Sequence, residues 1–261
     1  MSYEMISVTA DARGVATLTL DRPEKHNALS GAMCQEIQAA IAELGSDPAI
    51  RVVVLTGAGK SFCAGGDLDW MRAQMTATPA ERGAEARKLA DMLFAINTCP
   101  KPVVGRLQGQ AFGGGVGMAC VCDVAIGVAD AKFGLTETRL GLIPATIGPY
   151  VLARLGEAMA RRVFMSARIF AAEEAAALGI LSKAVAPDDL DAAVEAEVAP
   201  YLDCAPGAVA AAKALARRLG PPIDDAVIDM SVAALISQWE GDEAPEGVAA
   251  FFEKRRPSWA K

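Results

Sequence analysis

Two glycine-rich segments hold the residue types best suited to chemistry: Ser61-Phe62-Cys63-Ala64-Gly65-Gly66-Asp67-Leu68 and Gly109-Gln110-Ala111-Phe112-Gly113-Gly114-Gly115-Val116-Gly117. Each follows a predicted strand and leads into a helical pattern. Glycine lets a ligand approach the main chain with no Cβ in the way. The free N–H groups of a helix's first turn, together with the helix dipole, favour negative charge. Two such amides from different loops can converge on one oxygen, forming an oxyanion hole in which each donor is typically worth roughly a hundred- to a thousandfold in rate. Either segment alone reads as a tight turn, since glycine-rich turns are common. The pair, in this order and spacing, favours the hole.

Competing motifs fail on their own terms. Gly57-Ala58-Gly59-Lys60-Ser61 suggests a phosphate loop, but the glycine required five residues before Gly59 is Val54, and Phe62 to Gly66 is expected to continue as loop where a helix should begin. A dinucleotide fingerprint counted from Gly57 meets Phe62 at its last glycine position. No G-x-S-x-G elbow is present. The single histidine, His26, has no sequence neighbour suggesting a Ser-His pair or a metal site. Cys34, Cys63, Cys99, Cys120, Cys122 and Cys204 lack metal-ligand spacing and are expected to be small, buried, reduced hydrophobes.

The 261 residues are 52% hydrophobic and 22% charged, enough for one large core and incompatible with disorder. The net charge of −7 is dispersed, with no basic arm or stripe, so nucleic acid is not an expected partner. The N-terminal stretch carries no leader pattern, and Gly109 to Ala131 is interrupted by glycines and Asp123, unlike a membrane span. A cytoplasmic location is expected.

The elements that must position the two loops alternate in type. Ile6 to Thr9 and Val15 to Leu20 predict a hairpin turning at Ala12-Arg13-Gly14. Ser30 predicts the N-cap of a helix over Met33 to Leu44, closed by Gly45 and Pro48. Strands are predicted over 51–56, 102–107 and 124–128, with a helix over 79–96 between the first two. From Leu190 onward the chain is Ala-rich, with breaks at Pro206, Pro221-Pro222 and Pro245, predicting three or four helices. Pattern alone therefore gives an α/β chain followed by helices, divided into a core over 1–200 and a helical part over 201–261. That helical part packs either on another subunit or back on its own core.

Val53-Val54-Leu55-Thr56-Gly57 running into Phe62 to Leu68 resembles the first signature of the enoyl-CoA hydratase/isomerase (crotonase) family. Lys101-Pro102-Val103-Val104 leading to Gly109 to Gly115 and Cys122-Asp123 resembles the second. Leu20 to Leu29 is similar to the family's N-terminal CoA-contacting loop, and Ala175 to Leu181 and Phe252 to Pro257 match later landmarks. The resemblance covers essentially the whole chain. It implies a spiral of ββα units with a C-terminal helical oligomerisation region, and trimers or hexamers. It also implies an acyl-CoA substrate with no cofactor beyond the CoA that the substrate carries, and no metal. By position, Gly66 and Gly114 match the residues whose amides bind the thioester oxygen, and Lys25, Ala28, Ala64, Asp67 and Leu68 match positions along the CoA and pantetheine path.

Hydratases of the family place two glutamates around the substrate double bond. One stands three residues beyond the second oxyanion position and the other twenty residues further on. Here the first position is Gly117, which implies an opening in place of the acid, and the second is Glu137. A lone glutamate is usually solvated or ion-paired, but the resemblance implies a catalytic role for Glu137. Family isomerases keep only the second glutamate. The run from Phe133 to Val151, however, resembles bacterial methylglutaconyl-CoA-type hydratases, some of which also carry glycine at the first position. Their substrates bear a second carboxylate, for which Arg139 is a candidate cation, although a structural ion pair is the commoner role for a lone arginine. The leading expectation is hydration of a 2-enoyl-CoA, branched or carboxylated. The alternatives are 3-enoyl to 2-enoyl isomerisation through Glu137 alone, a non-catalytic acyl-CoA binder, or another family reaction such as thioester hydrolysis or dehalogenation. Acyl specificity is expected to depend in part on the loop between Trp70 and Glu85.

Overall fold

The computed structural model describes residues 3–261; Met1 and Ser2, at the head of the segment read as lacking a leader, lie outside the described residues. The expected hairpin forms from β1 (Ile6–Ala10) and β2 (Val15–Leu20), antiparallel, with Ile6 opposite Leu20. The Ser30 side chain accepts the Met33 amide at 3.2 Å and starts α1 (Gly31–Ser46). Gly45 was expected to end that helix but lies inside it, packed beside Cys99 and Pro100.

Three ββα units follow. The first is β3 (Val52–Gly57) and β4 (Ser61–Cys63), then α2 (Leu68–Gln74) and α3 (Pro79–Thr98). The second is β5 (Val103–Leu107), β6 (Gln110–Phe112) and α4 (Gly114–Val121). The third is β7 (Val124–Val128), β8 (Lys132–Gly134), a 3-10 turn over Glu137–Leu140, and α5 (Gly148–Phe164), which breaks at Gly156. Next come β9 (Ile169–Ala171), α6 (Ala172–Leu178) and β10 (Lys183–Val185), then α7 (Leu190–Leu202), α8 (Pro206–Leu219), α9 (Asp225–Trp239) and α10 (Glu243–Phe252). Each unit places one strand in a six-stranded sheet, β1-β2-β3-β5-β7-β10, and the next in a four-stranded sheet, β4-β6-β8-β9. This is the expected α/β spiral.

The longer strands were legible because they are buried on both faces; every residue of β3 is buried. The three-residue strands of the second sheet were not. Ser61–Cys63 is a strand although Phe62 and Cys63 were expected as loop, and the register shifts between Ser61 and Cys63 where it pairs with β6. At this length the main-chain ladder, not side-chain alternation, defines the strand.

The second sheet determines where the site lies. β4, β6 and β8 are neighbours and parallel, so the segments leaving their C-terminal ends emerge side by side. Those segments carry Gly66, Gly114 and Glu137, residues far apart in the chain.

Below the first sheet, α7 packs on β3, β5 and β7. Among the C-terminal helices, α9 packs on α3 and α10 on the Glu137–Leu140 turn. Gly247 of α10 approaches Leu140 so closely that a Cβ would lie 2.5 Å from its carbonyl carbon. Pro245, read as a helix break, lies in the first turn of α10, where proline's missing N–H costs nothing. α8 buries no residue and exposes Leu215 and Leu219. Cys204 is exposed, unlike the other five free cysteines. Among the described residues, no helix is long and apolar enough to cross a membrane.

Candidate active site

At the β4 exit, Leu29 forms an isolated parallel bridge with Gly66. The Leu29 amide donates to the Gly65 carbonyl at 2.7 Å, and its carbonyl accepts the Asp67 amide at 2.9 Å. In such a bridge the central residue's own N–H is left out of the pairing, and Gly66 lines the cavity. Gly65 takes φ +93°, a left-handed value suited to glycine, and a Cβ there would press on the Phe112 carbonyl at 3.1 Å.

At the β6 exit the Gly113 amide donates to the Gly134 carbonyl at 2.9 Å. Gly113 then turns with φ +48° into α4, whose first residue is Gly114. The Gly114 amide belongs to the first helical turn and has no partner within the helix. A Cβ on Gly113 would lie 3.9 Å from the Gly65 Cα, so the two loops meet glycine to glycine. The same Cβ position is 3.0 Å from Glu137 Oε1. The carboxylate thus stands beside the place where the two loops meet.

Glu137 is half-buried as a residue, yet its Oε2 is fully buried and has no hydrogen-bond partner. Burial pushes its carboxyl up to about 7, opposed only by a smaller pull from its own main-chain amide. Uncompensated burial of a carboxylate costs stability, and an acid with a pKa near neutrality suits proton transfer in both directions.

A cavity of about 330 Å3 joins these groups, lined by Ala64, Gly65, Gly66, Leu68, Gly113, Gly114 and Glu137. Its far wall is apolar: Leu140, Leu142 and Ile143, with Leu235, Trp239 and Phe251 from the C-terminal helices. Trp70, Met71 and Glu85 also line it, but the stretch between Trp70 and Glu85 that was expected as a loop is mostly helix, with Trp70 and Met71 on α2 and Glu85 on α3. A larger hollow of about 450 Å3 lies on the other side of the first sheet, against α7. Its charges are paired with one another, Arg13 with Glu195 at 2.6 Å and Arg106 with Asp191 at 2.7 Å, and neither loop amide faces it.

Of the residues matched to the CoA path, Ala64 and Leu68 line the cavity, whereas Lys25, Ala28 and Asp67 lie outside its lining. Asp67 is held by other duties. It caps α2 through the Asp69 and Trp70 amides and pairs with Arg22 at 3.0 Å. Burial alone would raise its carboxyl, but the Trp70 amide, Arg22 and the Asp69 amide together bring it below its ordinary value. Lys25 pairs with Asp69 at 3.0 Å on the exposed side. His26 Nδ1 does stand 3.0 Å from Ser61 Oγ, a contact its sequence neighbours did not suggest, but neither residue lines the cavity. Arg139 is exposed and lies outside the lining of this cavity.

Gly117 does not leave an opening. A Cβ there would lie 2.4 Å from Ile147 Cγ2 and 2.9 Å from Ile147 Cβ. Ile147 follows the Glu137 turn and fills the volume that an acid on α4 would need. Gly117→Ala is therefore expected to destabilise the protein by about 1–3 kcal/mol through overpacking, seen as a melting temperature several degrees lower. An unchanged melting temperature would show that Ile147 moves aside freely. Ile147, Trp239, Phe251 and Glu85 are site residues that motif reading missed. Glu85 appears in the sequence only as the end of the stretch expected to affect specificity, and nothing in the sequence separates it from the other glutamates of α3.

A family model described as enoyl-CoA hydratase/isomerase matches residues 10–261. The crotonyl-CoA hydratase of Syntrophomonas wolfei is 32% identical over 261 residues, covering 99% of this chain and 99% of that protein. Among solved structures, an enoyl-CoA hydratase from Shewanella pealeana aligns with a TM-score of 0.80 at 36% identity, over 98% of this chain and 96% of that one. The enoyl-CoA hydratase of Mycobacterium smegmatis aligns with a TM-score of 0.80 at 35% identity, over 98% and 99%.

Proposed function

The chain belongs to the enoyl-CoA hydratase/isomerase family, and from that premise we propose that it adds water to a 2-enoyl-CoA thioester with an apolar acyl chain. The observation that carries this reading is the convergence of the Gly66 and Gly114 segments beside a carboxylate whose Oε2 is buried without a partner and whose pKa is near 7.

The two amides draw charge onto the thioester oxygen and leave C3 electron-poor. Ionised Glu137 takes a proton from water as the water oxygen bonds to C3. The C2–C3 π pair moves toward C2 and the carbonyl, giving an enolate whose oxygen the amides hold. Protonated Glu137 then returns its proton to C2. One carboxylate thus serves as base and then as acid, which a pKa near neutrality allows. The chemistry is completed by the chain's own residues and the substrate, in a cytoplasmic enzyme that requires no cofactor beyond the CoA its substrate carries.

The apolar far wall supports an uncharged acyl chain. The lining described for one protomer holds two carboxylates, Glu137 and Glu85, and no cation. A second carboxylate on the substrate would meet like charge there. Incubation with a panel of 2-enoyl and 3-enoyl thioesters, read by mass, tests the proposal. Mass gain of one water on straight or branched apolar 2-enoyl-CoA is expected, with little on a carboxylated analogue of equal length. A moved double bond without mass change, confined to 3-enoyl substrates, would instead favour isomerisation, the reading that Glu137 standing alone beside the hole also supports. No thioester turned over, with CoA esters still bound, would point to a binder.

The exposed Leu215 and Leu219 on α8, a helix with no buried residue, support 201–261 as an oligomerisation region. A trimer or hexamer would cover that face.

A further inference from the structure

Glu85 takes no part in the chemistry above, yet it lines the same cavity as Gly66, Gly114 and Glu137. The Trp70 ring approaches within 3.7 Å of the Cβ position of Gly66, and its Nε1–H donates to Glu85 Oε2 at 3.1 Å. One turn after Glu85, Leu89 Cδ1 lies 4.0 Å from the Cβ position of Gly114. The Glu85 carboxylate is thus one indole ring from one oxyanion donor and one helical turn from a contact with the other.

Its seat is built. Lys88 Nζ donates to Oε1 at 2.6 Å. Gly31 makes room for the pair, because a Cβ there would lie 2.4 Å from Glu85 Oε2 and 3.0 Å from Lys88 Cδ. A carboxylate offers about four lone-pair directions, and Trp70 and Lys88 use two of them. Cys34, Leu29 and Leu89, which line the same cavity, would accommodate an apolar side chain at lower desolvation cost. Meanwhile the place on α4 for a second acid is closed by Ile147.

We infer that Glu85 is a positioning residue for hydration: a free lone pair on its carboxylate accepts one hydrogen of the attacking water and aims the oxygen at C3, while Glu137 removes the other hydrogen. The inference rests on the hydratase reading. In the step itself one water O–H bond breaks to Glu137 and the C3–O bond forms. The π pair passes to the enolate, and the C2–H bond forms as Glu137 gives the proton back. Glu85 keeps its hydrogen bond to the remaining O–H throughout and neither gains nor loses a proton.

Two rates measured on Glu85→Gln and Glu85→Asp test this. One is hydration of an apolar 2-enoyl-CoA. The other is deuterium exchange at C2 of the saturated thioester, which needs the amides and Glu137 but no attacking water. Glu85→Gln is expected to lower hydration kcat about a hundredfold, the effect of a misplaced attacking atom, while KM and exchange stay within about threefold. Glu85→Asp, which keeps the charge, is expected to retain more hydration than Glu85→Gln. Equal falls in hydration and exchange would reduce Glu85 to a prop for Trp70 and overturn the inference. Wild-type hydration unaffected by Glu85→Gln would overturn it alone, whereas a wild type that adds no water to any 2-enoyl thioester would overturn the hydratase reading as well.

Discussion

Glu137→Gln is expected to lower turnover about a hundred- to ten-thousandfold, the range usual for loss of a positioned acid–base group, with thioester binding retained. Gln preserves the shape of the side chain and its place beside Gly113 but can neither accept nor return a proton. The wild type should show kcat/KM rising with pH as Glu137 ionises near 7, and that limb should vanish in the variant. Stability should move the opposite way. The native carboxyl is pushed up to about 7 from an ordinary 4.5, so between those values the folded state binds more protons than the unfolded state. The difference in protons bound then makes stability fall as pH rises through that window. Above it the wild type carries the whole cost of a buried charge, on the order of 3 kcal/mol, and Glu137→Gln does not. The variant should therefore melt near the wild type at pH 5 and above it at pH 8, less whatever the buried amide itself costs. Turnover unchanged by the substitution would show that a group other than Glu137 moves the proton.

The legible and illegible parts of this site divide along physical lines. Gly65-Gly66 and Gly113-Gly114 were readable because main-chain approach and positive φ leave few residue choices. The long strands were readable because burial on both faces leaves an uninterrupted apolar run. The second sheet was not, since β4, β6 and β8 are three residues each and sit within or beside glycine-rich segments. Yet their parallel adjacency is what brings Glu137 to the hole. Gly117 misled for a related reason. Its missing side chain implied space, but the filling group, Ile147, comes from a different segment and meets it only in three dimensions. Arg139 lay near Glu137 in sequence, but in the 3-10 turn it is exposed while Glu137 faces the cavity. Glu85 was hidden because α3 is a largely polar helix in which one more glutamate carries no signal. Only its contact with Trp70 and its seat on Gly31 separate it from the others.

Gly114→Pro is expected to lower turnover roughly a hundred- to a thousandfold relative to Gly114→Ala, because it deletes the one atom that the proposal requires at this position. A main-chain donor is removed only by proline, and Gly114 is a place where proline fits. As the first residue of α4 its N–H has no helical partner to lose, and proline is well tolerated there. The preceding Gly113, at φ 48° and ψ −114°, already lies outside the α region that a following proline disfavours. The added Cβ meets Leu29 Cδ1 at 2.8 Å, the end of a flexible side chain, and Gly114→Ala carries the same contact while keeping the N–H. The ratio between the two variants therefore reads loss of the donor together with the proline Cδ that takes the place of its hydrogen. Turnover should fall more than binding of the ground-state thioester, since a donor aimed at an enolate holds the neutral carbonyl more weakly. Hydration and C2 exchange should fall together in Gly114→Pro, because both pass through the enolate, whereas Glu85→Gln should separate them. If Gly114→Pro keeps the rate of Gly114→Ala, the thioester oxygen is held elsewhere and the convergence of the β4 and β6 loops serves packing alone.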